Sequence, residues 1–407
     1  MTPLKLRAGD AGARGLAGRG RRPATLLAIA LLLGACDLKV SNPGPIEDAA
    51  LNSPEATRPL VIGMGADLSA VLDDLAYFMG IASGDITHTG AFEAEFFMQD
   101  GKIRPEHVNG LWAGMHRARW TAENGIERMK TVLGDKFESD TLATAAYVWA
   151  GYANRVLGEN VCQSVIDGGA PGDRKVHFQR AIEQFTNALT LAAKQTGPTV
   201  PILTNAAYAG RAQARLDMGD YAGAAADAQK VPDGYAWQAK YSLNSDRENN
   251  WVSHESVLRA YFSVYGTFAV TANDPRTPWT DAKKKGVDGK TPFYLQGKYP
   301  TMDTDIDLAR YDEMRLIEAE AAIRAGDVAG GMAKLNAERA SYKLAAVTAA
   351  DAASAMAALR HEREIVLWME DRRLWDLSRF NDPFLTGRDR CIPLSQDELA
   401  TNPNARS

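Results

Sequence analysis

Between Ala207 and Pro232 the chain places small residues where only a close helix–helix contact calls for them. Ala207, Gly210, Ala212 and Ala214 recur along a first arm. It turns at Gly219-Asp220-Tyr221, and Ala224 opens a second arm that Pro232 ends. Two antiparallel helices pack closely only where alanine or glycine faces the partner, and the tight turn between them favours glycine. The spacing predicts helices over 204–218 and 222–230. A degenerate second copy runs over 309–325, through Gly326-Asp327, and on over 328–342. Such a chain is committed to stacked helix pairs, and their irregular spacing excludes a uniform solenoid.

The first pair is similar to a tetratricopeptide helix pair. Further helices are predicted over 56–82, 106–132, 142–157 and 176–193; the second carries Trp112, Met115, Ala118, Ile126 and Met129 on a repeating face. The helical pattern lapses between Gly234 and Tyr299, where aromatics crowd among turns such as Asn273-Asp274-Pro275 and Asp288-Gly289. The expected fold is therefore mainly α. A tetratricopeptide-like helix-pair scaffold over 56–233 and 300–407 holds a loop-rich, aromatic-rich insertion at 234–299, with room for a short β-hairpin.

The N-terminus reads as a targeting segment. Lys5, Arg7, Arg14, Arg19, Arg21 and Arg22 precede an apolar run over 24–33 that closes on Leu33-Gly34-Ala35-Cys36. The run is about half what a membrane-spanning helix needs, and nothing after Cys36 is long and apolar enough to span a bilayer. The closing tetrapeptide resembles a bacterial lipobox. Residues 1–35 would then be a lipoprotein signal peptide, Cys36 the lipidated (palmitate-bearing) first residue, and 36–55 a tether; a plain signal with an incidental cysteine is the other reading. Removing 1–35 leaves 372 residues, and because that segment carries +5 of a chain whose net charge is −5, the remainder is −10. That balance argues against nucleic acid and favours a neutral or cationic ligand. The two other cysteines, Cys162 and Cys391, are either a disulfide or two separately buried thiols; export favours the bridge.

Three C-terminal stretches carry a wider resemblance. The helix Arg310-Tyr311-Asp312-Glu313 through Glu318-Ala319-Glu320-Ala321, then Leu335-Asn336-Ala337-Glu338-Arg339, then Arg360-x-Glu362-Arg363-Glu364-x-x-Leu367-x-x-Glu370-x-x-Arg373-Leu374-Trp375-Asp376-Leu377-x-Arg379, resemble motifs of the SusD/RagB family. Asp371 stands where that family carries glycine. The closing Ile392-Pro393, Glu398 and Asn402-Pro403, the Asn273-Asp274-Pro275-Arg276 stretch, the helix of Trp112 to Ile126 with His116 for the usual tyrosine, and Cys36 to Pro43 are similar as well.

The resemblance implies a surface-exposed outer-membrane lipoprotein that binds an oligosaccharide or peptide. It would deliver this ligand to a TonB-dependent outer-membrane transporter without catalysis, tied to the membrane by its lipid anchor and facing the cell exterior. Two other readings are a tetratricopeptide scaffold lipoprotein in envelope assembly and, more remotely, an exported glycan-cleaving enzyme. A pure scaffold has little use for an aromatic insertion.

Catalytic chemistry finds no support in the residues. No Gly-x-Ser-x-Gly, His-Glu-x-x-His or phosphate-binding glycine loop occurs, and no cofactor or metal is implied. Asp303-x-Asp305-x-Asp307 imitates the start of a calcium loop, but Leu308 takes the turn glycine's place and Met314 that of the closing acid, so Asp307 is expected to cap the next helix. The acids and arginines from Glu362 to Arg379 lie at helical spacing and are expected to form structural ion pairs. Sugar rings present flat apolar faces that stack on aromatics, while polar groups bond their hydroxyls. The candidate ligand residues are thus Trp251, Tyr265, Asp274, Arg276 and Trp279 from the insertion, with Asp85, Phe92 and Phe96 from the first loop; satellite core under long loops is the competing reading for each.

Overall fold

The computed structural model describes residues 48–406, so Cys36, the signal segment and most of the tether lie outside the described residues. Helices dominate. Helix α1 (Thr57–Ser83) is apolar on most sides and buries Leu68, Leu72, Leu75 and Tyr77; it stops at Gly84, whose φ of 80° only glycine adopts freely. Then come α2 (Asn109–Leu133), α3 (Thr141–Asn160), α4 (Lys175–Ala192), α5 (Val200–Asp217) and α6 (Tyr221–Ala228). Each packs on its predecessor in turn. Asp140 caps α3 by accepting the Leu142 amide at 2.9 Å. Helix α5 starts four residues before the expected point because Pro201 sits in its first turn, where no amide is needed.

Small residues set the closeness of this stack. Phe185 of α4 fills the space left by Gly151 of α3 and Gly210 of α5; a β-carbon on either would lie 2.6 or 2.5 Å from Phe185 Cε1. Phe178 uses Gly158 in the same manner.

Past the insertion, α7 (Tyr311–Arg324), α8 (Val328–Ser341), α9 (Ala352–Val366) and α10 (Arg373–Arg379) complete the scaffold, with α7 resting on α6. The turns of the two helix pairs match atom for atom. Gly219 and Gly326 adopt φ of 81° and 91°, and the amides of Asp220 and Asp327 reach back to Arg215 and Ala322 carbonyls, each at 2.9 Å. Asp220 then caps the Gly223 amide at 2.9 Å and Asp327 the Gly330 amide at 2.8 Å. A main core spans α1 through α7, and a smaller one of Leu316, Ile323, Leu335, Leu359 and Val366 lies among α7, α8 and α9.

Strands are short. β1 (Ala236–Ala239) pairs antiparallel with β4 (Ile306–Arg310), while β2 (Trp279–Lys285) and β3 (Pro292–Gln296) form the hairpin for which the insertion has room. β4 corrects the helix expected from Ala309: Ile306 and Leu308 are buried with Asp307 half-buried between them, a period of two. Asp307 therefore caps nothing; it accepts from Gln238 Nε2 at 2.8 Å.

The C-terminal signature is broken rather than continuous. The chain leaves α9 at Val366, turns through Met369 and Asp371 at φ of 55° and 58°, and resumes at Arg373. Asp371 thus holds the left-handed conformation glycine favours, steadied by Asn160 Nδ2 at 2.7 Å. The charged residues make a buried ion network, as their types suggest. Asp376 bridges Arg363 and Arg379, both at 2.7 Å; Arg379 grips Glu320 with two bonds; Arg372 joins Glu313 at 2.8 Å and Glu159 at 3.3 Å. Cys162 and Cys391 are bridged across 229 residues beside a β-bridge between Val161 and Ile392. Among the described residues no helix is long and apolar enough to cross a membrane.

Candidate ligand-binding face

Three segments far apart in sequence meet through main-chain pairing. Thr87 lies opposite Ser263 and His88 opposite Phe262 in a short antiparallel ladder, and Thr89 donates its amide to the Tyr261 carbonyl at 2.7 Å. The hairpin joins from the other side: the Tyr294 amide donates to Ser263 Oγ at 2.8 Å, and Ser263 Oγ donates to the Pro292 carbonyl at 2.8 Å. Its tip closes on the first loop, where the Asp288 amide donates to the Thr89 carbonyl at 2.7 Å.

This pairing gathers rings at the surface. Phe92 and Phe96 are 49% and 48% exposed and Tyr265 is 42% exposed, large values for side chains that gain by burial. Phe92 lies 5.5 Å from Tyr261, Tyr265 meets Tyr294 edge-on at 5.2 Å, and Trp279 stacks parallel on Tyr294 at 4.8 Å. The Arg259 guanidinium sits 3.8 Å over Tyr261 and 5.5 Å from Phe92, and Glu255 holds it at 3.0 Å. Beneath Phe96, His88 packs edge-on at 4.9 Å; burial pushes its imidazole down to about 4, so it stays neutral, and neither ring nitrogen has a protein partner.

The other expected ligand residues sit elsewhere. Trp251 is half-buried and stacks on His254 at 4.4 Å, its amide donated to Asp73 at 2.7 Å. Asp85 is buried in the core; it accepts the Met369 amide at 3.3 Å, and burial lifts its carboxyl to about 7. Arg276 is closed in by Asp274 at 2.9 Å and Glu362 at 2.7 Å. Asp274 and Arg276 are therefore bonded to each other and to Glu362 inside the fold, while Asp85, whose Oδ1 has no hydrogen-bond partner, is withdrawn from the surface by burial. Arg259 and His88 carry no sequence signal that would single them out. A separate groove of about 540 Å³ lies between α1 and the 240–248 loop, lined by Ile62, Trp149, Tyr241 and Arg247, and shares none of these rings.

Comparison with known proteins accounts for the architecture. Residues 226–406 match the sequence model of the SusD family. Surface glycan-binding protein A from Bacteroides thetaiotaomicron superposes with a TM-score of 0.66 at 12% identity, covering 86% of this chain and 97% of its own. A laminarin-binding SusD-like protein gives 0.65 at 14% identity, covering 87% and 98%. A SusD/RagB family protein from Bacteroides thetaiotaomicron gives 0.64 at 13% identity, covering 86% and 95%. None of the curated proteins matches the chain in sequence. The chain thus shares the helical fold of SusD-like proteins over most of its length, and its residues 226–406 match the SusD family.

Proposed function

We propose that the chain is an outer-membrane lipoprotein, anchored through Cys36 and facing the cell exterior, that binds a nutrient oligosaccharide and passes it to a TonB-dependent transporter without altering it. The observation that carries this reading is the aromatic face. Main-chain pairing of three segments leaves Phe92, Phe96 and Tyr265 exposed, with the half-buried Tyr294 and Trp279 stacked behind Tyr265, and exposed apolar rings cost stability unless something covers them. Stacking on sugar C–H faces is the chemistry such rings offer, and the laminarin-binding and surface glycan-binding proteins of the same fold agree with it. The acids and arginines of the C-terminal signature are engaged with one another and take no part. A peptide is the alternative ligand, and a scaffold role in envelope assembly leaves the face unused.

The test is calorimetric titration of the chain with a panel of oligosaccharides and peptides, beside a pull-down from outer membranes. Binding of a saccharide that Tyr265→Ala weakens, and recovery of a β-barrel transporter, are the expected results. Absence of saccharide binding together with recovery of periplasmic assembly factors would discard the reading.

A further inference from the structure

The hairpin that carries Trp279 and Tyr294 also carries a run of lysines: Lys283, Lys284 and Lys285 on β2, with Lys290 past the turn, all exposed. Its register is irregular. Asp281 lies opposite Tyr294, but the next pair is Lys285 opposite Pro292, so β2 has two residues more than β3 over this interval. The bulge, with Lys283 at φ 54°, returns Lys285 to the side of the strand on which Tyr294 points, because Pro292 and Tyr294 share a face.

The hairpin's acids are already occupied. Asp281 pairs with Lys283 at 2.8 Å. Asp288 accepts from the Thr291 hydroxyl at 2.7 Å and from the Lys290 and Thr291 amides at 2.9 and 3.0 Å. Lys284 lies 4.9 Å over the Phe293 ring, and Lys285 has no ion pair among the described residues. Arg259 adds a cation among the rings, against the buried Glu255; Glu93, next to Phe92, is 4.0 Å from His107. Net charge after residue 35 is −10, which alone favours a neutral or cationic ligand. Screening sets a shorter range: at physiological salt charges act over about 8 Å, so a ligand on this face responds to the hairpin and not to the whole molecule.

We propose that the face takes an anionic oligosaccharide, one bearing carboxylate or sulfate groups, with its rings on the aromatics and its charges on Lys285 and Lys290. This rests on the glycan-binding reading above and names the class of glycan. The rings and acidic substituents of such a polymer match a hairpin that carries Tyr294 and Lys285 on the same side.

The experiment titrates the full chain with two matched pairs: an oligouronate and its carboxyl-reduced form, and a sulfated oligosaccharide and its desulfated form. The charged member of at least one pair should bind about tenfold tighter, and the gap should close at high salt. The pair that discriminates tells carboxylate from sulfate. Lys285→Gln with Lys290→Gln should abolish the gap while neutral binding and the melting temperature stay as they were. Equal binding of charged and neutral members, or a gap indifferent to the lysine variants, overturns the anionic preference and leaves glycan binding intact. Failure of every saccharide overturns both, as does binding of polyglutamate alone.

Discussion

Gly210 of α5 leaves the space that Phe185 of α4 occupies: a β-carbon there would lie 2.5 Å from Phe185 Cε1. The contact is a side chain inside a packed stack, so the ring cannot simply swing away. Gly210→Ala should destabilise the protein by about 1–3 kcal/mol, the usual cost of overpacking. Phe185→Leu in the same chain should recover part of the loss. Chemical denaturation of the single and double variants checks both; an unchanged midpoint for Gly210→Ala would show that the helices can part at no cost.

Buried and exposed ion pairs should respond very differently. Arg372 is buried between Glu159 and Glu313, so Arg372→Met strands two carboxylates and should cost about 3–5 kcal/mol. Lys194 meets Glu138 at 2.8 Å in solvent, and Lys194→Met should cost about 0–1 kcal/mol. Denaturant midpoints for the two variants separate these outcomes.

Asp85 makes stability depend on pH in an unusual sense. Burial raises its carboxyl from the ordinary 3.8 to about 7, opposed by Arg373 and the Met369 amide. The folded form therefore keeps a proton that the unfolded form has lost, and the group's contribution is present in full below pH 3.8 and disappears as pH rises through about 7. Within that window stability should fall with a slope of up to about 1.4 kcal/mol per pH unit from this group. Asp85→Asn should flatten the decline and stand above the parent at pH 8. A decline as steep in the variant would remove Asp85 as its source.

The aromatic face should divide into binding and packing roles. Tyr265→Ala and Phe92→Ala remove exposed rings and should weaken saccharide binding by about 1–3 kcal/mol, as loss of a stacking ring does elsewhere, with little change in melting temperature. Trp279→Ala also removes the stack on Tyr294 and should lower both. Trp251→Ala, whose ring rests on His254, should lower stability alone. Parallel calorimetry and thermal melts test the division.

What the residues reveal in advance follows from range. The helix pairs are legible because their signals are local: small residues face the partner, and Gly219-Asp220 and Gly326-Asp327 build the same turn from residues within a few positions. Strand β4 is not legible because Ile306–Arg310 becomes extended only by pairing with Ala236–Ala239. The break at Leu367–Arg372 is set by Asn160 and Asp85, hundreds of positions upstream. At the candidate face the aromatics Phe92, Phe96, Tyr265 and Trp279 are recognisable by type. The polar residues are not: Asp85, Asp274 and Arg276 look like loop residues free to meet a ligand, and only the tertiary fold turns them inward.

The bridge between Cys162 and Cys391 has a consequence for how the molecule matures. Synthesis delivers Cys162 long before its partner, so α3 and α4 emerge with a lone thiol at their junction. In the folded chain the two sulfurs are held together beside Ile392, whose carbonyl accepts the Cys162 amide at 2.8 Å and whose amide donates to the Asn160 carbonyl at 2.7 Å. Reduction would therefore release the C-terminal tail from the α3–α4 junction and return to the unfolded chain the freedom of a 229-residue loop.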